Sequence, residues 1–308
     1  MAANNSLAGD FLPRKVKLII TQILVMIFLC INLLLIMTFF KKECFHTSAR
    51  YILFALTLLS DSFLLFMSDI LVIWAIFHLT IQVWLCVIIC AVLLLYVTVT
   101  PVTLTVMTLE RYVAICMPLR HGELCSTRST MHCILIIHGL SSVPCIVILS
   151  AFFVSASLSF YKQYQICSVE MFIFHTWQDH LRSAVAGLYQ VQFLIMCIIV
   201  IFSYVKIMKV AKAASGEDKK STKKGLRTVL LHGFQLLLCL IQMWCPLIES
   251  SLLQINVTLY VIVRYINFIL FYLAPRCLSP LIYGLRDEVF FRALKHYASF
   301  GLHKRDII

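Results

Sequence analysis

"MTLERYVAICMPLRH", residues 107–121, closes a long apolar run with an acid, an arginine and a tyrosine in succession: Glu110, Arg111 and Tyr112. Charge beside lipid is costly unless something uses it. The stretch therefore marks a membrane boundary and suggests a switch placed there. Working outward, seven apolar stretches can be read, roughly 16–40, 51–77, 83–115, 132–155, 184–211, 225–252 and 258–284. Each is longer than the ~20 residues that cross a bilayer core. Lipid offers no partner to backbone N–H and C=O groups, so each span should be a helix.

Composition agrees. The 308 residues are 61% hydrophobic and 13% charged, whereas a soluble domain carries about a quarter charged residues. The expected fold is an all-α membrane protein, a seven-transmembrane helix bundle with a short amphipathic eighth helix. Its single domain divides into a tail (1–15), the bundle (16–284), and an amphipathic helix with a terminal tail (285–308). The first span is too long for a signal core and is expected to serve as its own insertion signal. "LRDEVFFRALKHYASF" sets Val289, Phe290, Leu294 and Tyr297 near one helical face, so a helix lying on the inner membrane surface is expected.

Basic residues set the orientation. With the N-terminus outside, most of the 26 Lys and Arg fall on inner loops, helix ends and the tail, "KAASGEDKKSTKKG" among them. The net charge of +12 then faces anionic lipid and an intracellular partner. Nucleic acid is a poor partner for charges that border a membrane. Asn4, in Asn4-Asn5-Ser6, is an expected glycosylation site on the outer tail. Of the 13 cysteines, only Cys86 and Cys167 fall clearly on the oxidising side.

With seven spans placed, the motifs resemble one family. "MTLERYVAICMPLRH" is similar to the odorant-receptor signature "MAYDRYVAIC.PL". "PLIYGLRDEVFFRAL" resembles that family's "NPFIYSLRN" run, and "KKGLRTVLLHG" weakly resembles its "KAFSTCxSH". Asn32 and Asp61 match polar anchors of the wider rhodopsin-like (class A) G-protein-coupled receptor family. There are departures: Glu110 replaces an Asp, Ser279 replaces an Asn, and "MWCP" stands where odorant receptors carry "FYG". They suggest a divergent, fish-type branch. Alignment on Trp-x-Pro makes Trp244 the packing toggle; alignment on His232 puts Leu240 there.

The resemblance implies that Arg111 swings free on activation and packs beneath a G-protein helix. Glu110 would neutralise Arg111 at rest, and Tyr112 completes the switch. Pro118 and Leu119 would form the loop knob that docks on the G protein. Tyr204 and Tyr283 match the family's two inner tyrosines. Cys86 lies 25 residues before Arg111, or roughly 37 Å at about 1.5 Å per residue, and a Cys86–Cys167 bridge would pin the outer loop over the bundle mouth. Candidate ligand contacts are Leu93, Leu94, Val97 and Thr98 in the third span, and Leu188, Tyr189 and Gln192 in the fifth. The sixth offers Trp244 and Glu249, and the seventh Tyr265, Phe268 and Tyr272. Leu93 stands where amine receptors place an Asp. Asp61 and Arg276 lie at similar depth and are expected to form a buried pair, which would stand in for the sodium ion the superfamily holds at this acid.

The implied function is an odorant or chemosensory receptor in the plasma membrane, N-terminus extracellular. It would bind a small molecule in the outer half of the bundle and activate a stimulatory heterotrimeric G protein. A non-olfactory class A receptor for another small ligand is the alternative. A retinal protein would need a Schiff-base lysine in the seventh span, and 225–294 contain no Lys. A transporter would show paired repeats and broken helices. No catalytic constellation, cofactor motif or metal-ligand spacing is present, so an enzyme is not expected.

Overall fold

A computed structural model of the chain describes residues 14–169, 179–213, 219–280 and 288–298. Its helices are α1 (Arg14–Lys41), α2 (Ala49–Ile76), α3 (Val83–Cys116), α4 (Pro118–Leu124), α5 (Thr127–Ser155), α6 (Leu158–Tyr161), α7 (Asp179–Ala213), α8 (Lys219–Gln242), α9 (Cys245–Ile255), α10 (Val257–Asn267), α11 (Ala274–Ser279) and α12 (Glu288–Ala298). A 3₁₀ turn (Glu43–Phe45) follows α1, and a π turn (Phe268–Leu273) joins α10 to α11. Strands β1 (Thr80–Gln82) and β2 (Tyr164–Ile166) pair antiparallel, with Ile81 opposite Gln165.

Among the described residues, six spans are long and apolar enough to cross a membrane: Val16–Lys41, Ala49–Ile76, Val83–Cys116, Thr127–Ser155, Gly187–Val210 and Val257–Ser279. The stretch expected as one helix over 225–252 is two, α8 and α9, meeting at Met243–Trp244. Pro246 explains the break. A proline has no N–H to give the Gln242 carbonyl. The chain tightens there into shorter bonds, Met243 N to Leu240 O at 3.2 Å and Trp244 N to Ile241 O at 2.9 Å.

Other ends follow caps more than hydropathy. The fourth span begins at Thr127, upstream of the apolar run, because the Ser126 hydroxyl accepts the Ser129 N–H at 3.3 Å. Asn256 caps α10 in the same way, accepting from Thr258 and Leu259 at 2.9 and 3.2 Å. The π turn lies just before Pro275, where a widened turn absorbs a missing backbone donor.

The main core joins α1, α2, α3, α7 and α8 through residues such as Leu35, Leu58, Leu104, Met196 and Leu236. A second cluster, with Val83, Phe152 and Phe160, seals the end that carries β1 and β2. Large apolar side chains such as Leu135 (70% exposed) and Ile198 (65% exposed) ring the outside, as a surface built for lipid requires. Part of the apolar face of the amphipathic α12 is seated on the bundle. Phe290 is buried against Phe45 and Phe54, at 5.1 and 5.6 Å between ring centroids. Its apolar face, with Ala293 and Leu294, thus packs on the protein, while Phe291, Arg292 and Lys295 are exposed.

Candidate functional site

At one end of the bundle, α3 carries the Glu110–Arg111–Tyr112 triplet one turn before its end at Cys116, and α4 follows after Met117. Pro118 opens α4 in the first-turn position its fixed φ favours. Leu119, next along, is fully exposed at 100%, an apolar knob presented away from the bundle. The turn brings His121 back onto the triplet, with its Nε2 3.3 Å from Glu110 Oε1. Tyr112 packs on Phe202 of α7 at 5.7 Å. Tyr204 is half-buried further along that helix, whereas Tyr283 lies outside the described residues, as does Asn4. His121 is a contributor the sequence did not mark, since its only signal is its place at the end of the motif.

At the opposite end Cys86 and Cys167 are bonded, their Cα atoms 5.4 Å apart. The bond and the β1–β2 ladder together fold the loop after α5 back onto the start of α3. A structural disulfide of this kind belongs to an oxidising compartment.

Between these ends lies a buried polar centre. Asp61 is 0% exposed and Arg276 1%. Arg276 Nε stands 3.9 Å from Asp61 Oδ1. Asp61 accepts from Thr100 at 3.1 Å through Oδ1 and from Ser279 at 2.9 Å through Oδ2. Gln235 Nε2 donates to Ser279 Oγ at 2.6 Å and to the Pro275 carbonyl at 3.0 Å. The guanidinium lies over the Tyr272 ring, 3.8 Å from its centroid, and donates to the Tyr272 carbonyl and, at 3.4 Å, to Gln242 Oε1. Spans two, three, six and seven thus meet on one acid and one base. The residues present do not fit a sodium ion at Asp61. A fixed cation already stands against the carboxylate, and both of its oxygens take hydrogen bonds. Gln235 and Gln242 were not legible as partners, because their depth depends on where span six breaks.

The expected ligand contacts divide. Leu93 is buried, and Leu94, Val97, Leu188, Tyr189 and Gln192 are half-buried. Thr98 is turned to span four, its hydroxyl donating to the Ser141 carbonyl at 3.0 Å and the Leu95 carbonyl at 2.8 Å, so it presents no free hydroxyl to the bundle mouth. Tyr265 is turned toward span one, where Lys17 Nζ lies 5.5 Å from its ring centroid. Tyr272 stacks on Phe268 at 5.2 Å, and its hydroxyl reaches span two, bonding Ser68 Oγ and, at 3.3 Å, the Leu64 carbonyl. Trp244 sits in the break, edge to Phe193 at 5.9 Å and 39% exposed, while Leu240 holds the buried interior position at 3%. Glu249 accepts from Asn267 at 2.9 Å. A second acid at this end, Asp69, accepts from Gln22 at 2.5 Å and had no sequence signal beyond being an isolated acid in an apolar run.

Comparison with known proteins bears on this arrangement. The model of the 7 transmembrane receptor (rhodopsin family) matches residues 31–283. Odorant receptor 131-2 of zebrafish, Danio rerio, is 44% identical over 303 residues, covering 98% of this chain and 92% of that protein. A disulfide-pinned loop at one end of the bundle and the Glu110–Arg111–Tyr112 triplet at the other are therefore seen in a chain that belongs to the rhodopsin family of seven-transmembrane receptors, where it is odorant-receptor-like.

Proposed function

We propose that this receptor binds a small odorant-like molecule at the disulfide end and activates a stimulatory heterotrimeric G protein at the Arg111 end. In this reading the disulfide end faces outward, the N-terminus is extracellular and the receptor works in the plasma membrane; a disulfide suited to an oxidising compartment supports that orientation. The observation that carries the reading is the Arg111 end itself. An arginine near the end of α3 precedes a short loop helix whose Leu119 is wholly exposed. An exposed leucine on a loop helix that continues directly from a membrane helix is suited to seat in a partner's apolar pocket. The name of the zebrafish relative favours an odorant as the ligand.

The remaining ligand-facing candidates are Leu93, Leu94, Val97, Leu188, Tyr189, Gln192, Trp244, Glu249 and Phe268. They give a mainly apolar lining with a few polar groups, the usual make-up of a small-molecule site. The test is cyclic AMP in cells expressing the chain, screened with soluble amino acids, amines, acids and volatile aldehydes. At least one class should raise cyclic AMP at low concentration, and untransfected cells should not respond. A ligand response carried by calcium with cyclic AMP flat would reassign the G protein.

A further inference from the structure

Cys90 lies four residues beyond Cys86 on α3, which places the two on one helix face, one turn apart. Its Sγ is 3.8 Å from the Cys86 sulfur and 3.7 Å from the Cys167 sulfur. All three are buried in the apolar cluster of Val83, Phe152 and Phe160. Two of the three are spent in the disulfide, so the trio is no metal site as it stands. A thiol at contact distance from a disulfide can become a partner in exchange. We propose that Cys90 is an alternative partner for Cys167, so that the outer loop can be anchored at either of two successive turns of α3.

The loop does not depend on Cys86 to reach Cys90. Thr80 pairs with Ile166, next to Cys167, and Val83 N donates to the Gln163 carbonyl at 3.0 Å. These backbone bonds hold Cys167 at the start of α3 by contacts that involve no sulfur. The alternative bond forms as the native one does. Cys90 and Cys167 each lose a proton, and their two electrons pass to a small-molecule or protein disulfide of the folding compartment, which leaves as two thiols. The new anchor lies about 6 Å further along the helix, at about 1.5 Å per residue.

In the intact receptor Cys90 stands beside the native bond, nearly equidistant from both sulfurs. Displacement at sulfur runs along the S–S axis, so this placement leaves the native pairing in force. The alternative pairing emerges when Cys86 is removed.

The test uses the full chain in cells as Cys86→Ser, Cys90→Ser, Cys167→Ser and the double variant Cys86→Ser with Cys90→Ser. Free thiols are blocked, total receptor is digested without reduction, and linked peptides are mapped by mass spectrometry beside surface labelling. Cys86→Ser should yield a Cys90–Cys167 peptide and a surface level several-fold above those of Cys167→Ser and the double variant. Cys90→Ser should match the unaltered receptor. Absence of the linked peptide from Cys86→Ser, or a surface level no higher than the double variant's, would overturn the proposal. Mapping the total pool reads retained receptor as well, so poor delivery does not hide the bond.

Discussion

Arg111→Ala should reduce agonist-driven cyclic AMP to the basal level while the receptor still reaches the cell surface. The residue sits five positions before the end of α3 at Cys116, just over a turn from where α4 begins. Glu110 is held by His121 of α4 at 3.3 Å, so the acid of the triplet is tied to the loop helix, next to the surface on which a partner would dock. Removing the guanidinium deletes a charge-assisted contact worth about 1.5–3 kcal/mol, or about 10- to 150-fold in an equilibrium. The competing role is an arginine that only snorkels to lipid phosphates. That role predicts a wild-type response at matched surface expression, and such a response would refute the assignment. Arg111→Lys separates charge from shape. It keeps the cation and loses the planar fork, so it should retain only part of the signal.

Hydropathy made most of the bundle legible because span length is a solvent property, fixed by the thickness of hydrocarbon. It failed where covalent geometry intervened. The apolar character of 225–252 continues straight through Pro246, yet the chain breaks into α8 and α9. It also failed at helix ends, since Ser126 starts the fourth span outside the apolar run. Faces were less legible than spans. Thr98 is one of several residues on a helix packed on most sides, and periodicity does not say which neighbour it meets. In the seventh span the π turn Phe268–Leu273 adds a residue to the winding. One added residue rotates the rest of the helix by about 100°. Faces read on one uniform α-helix therefore do not hold along the whole span, and Tyr265 and Tyr272 turn to spans one and two. The Glu110–His121 contact needed a chain reversal of known shape, which the motif alone does not contain. Asp61 and Arg276 were legible as a pair because both are charges in apolar runs, and depth can be counted from either helix end.

Asp61→Asn and Arg276→Gln should each destabilise the receptor by about 3–5 kcal/mol, the usual cost of stranding one member of a buried pair. The contact is coulombic. Nε lies 3.9 Å from the carboxylate and makes no hydrogen bond, while Nη1 is held by Gln242 and the Tyr272 carbonyl. The guanidinium is thus fixed by spans six and seven, and the carboxylate by Thr100 and Ser279. Their attraction ties span two to span seven and, through Gln242, to the broken sixth span. A rival arrangement has Arg276 satisfied by carbonyls alone and Asp61 protonated. The two differ in a measurable way. If Asp61 is neutral, Asp61→Asn is nearly isosteric and should leave thermal unfolding of the solubilised receptor unchanged. If it is ionised and paired, the same change should lower the unfolding temperature as much as Arg276→Gln does, and the exchange Asp61→Arg with Arg276→Asp should recover part of the loss. A double-mutant cycle isolates the coupling, since the residues touch and their effects should not add. Sodium supplies an independent reading. With the cation built in, the intact receptor should unfold at the same temperature in sodium chloride and in choline chloride. Arg276→Gln uncovers the carboxylate and should become more stable in sodium than in choline. Sodium-dependent stabilisation of the intact receptor would show that Asp61 still takes a mobile ion, and the internal pair would then not be what neutralises it.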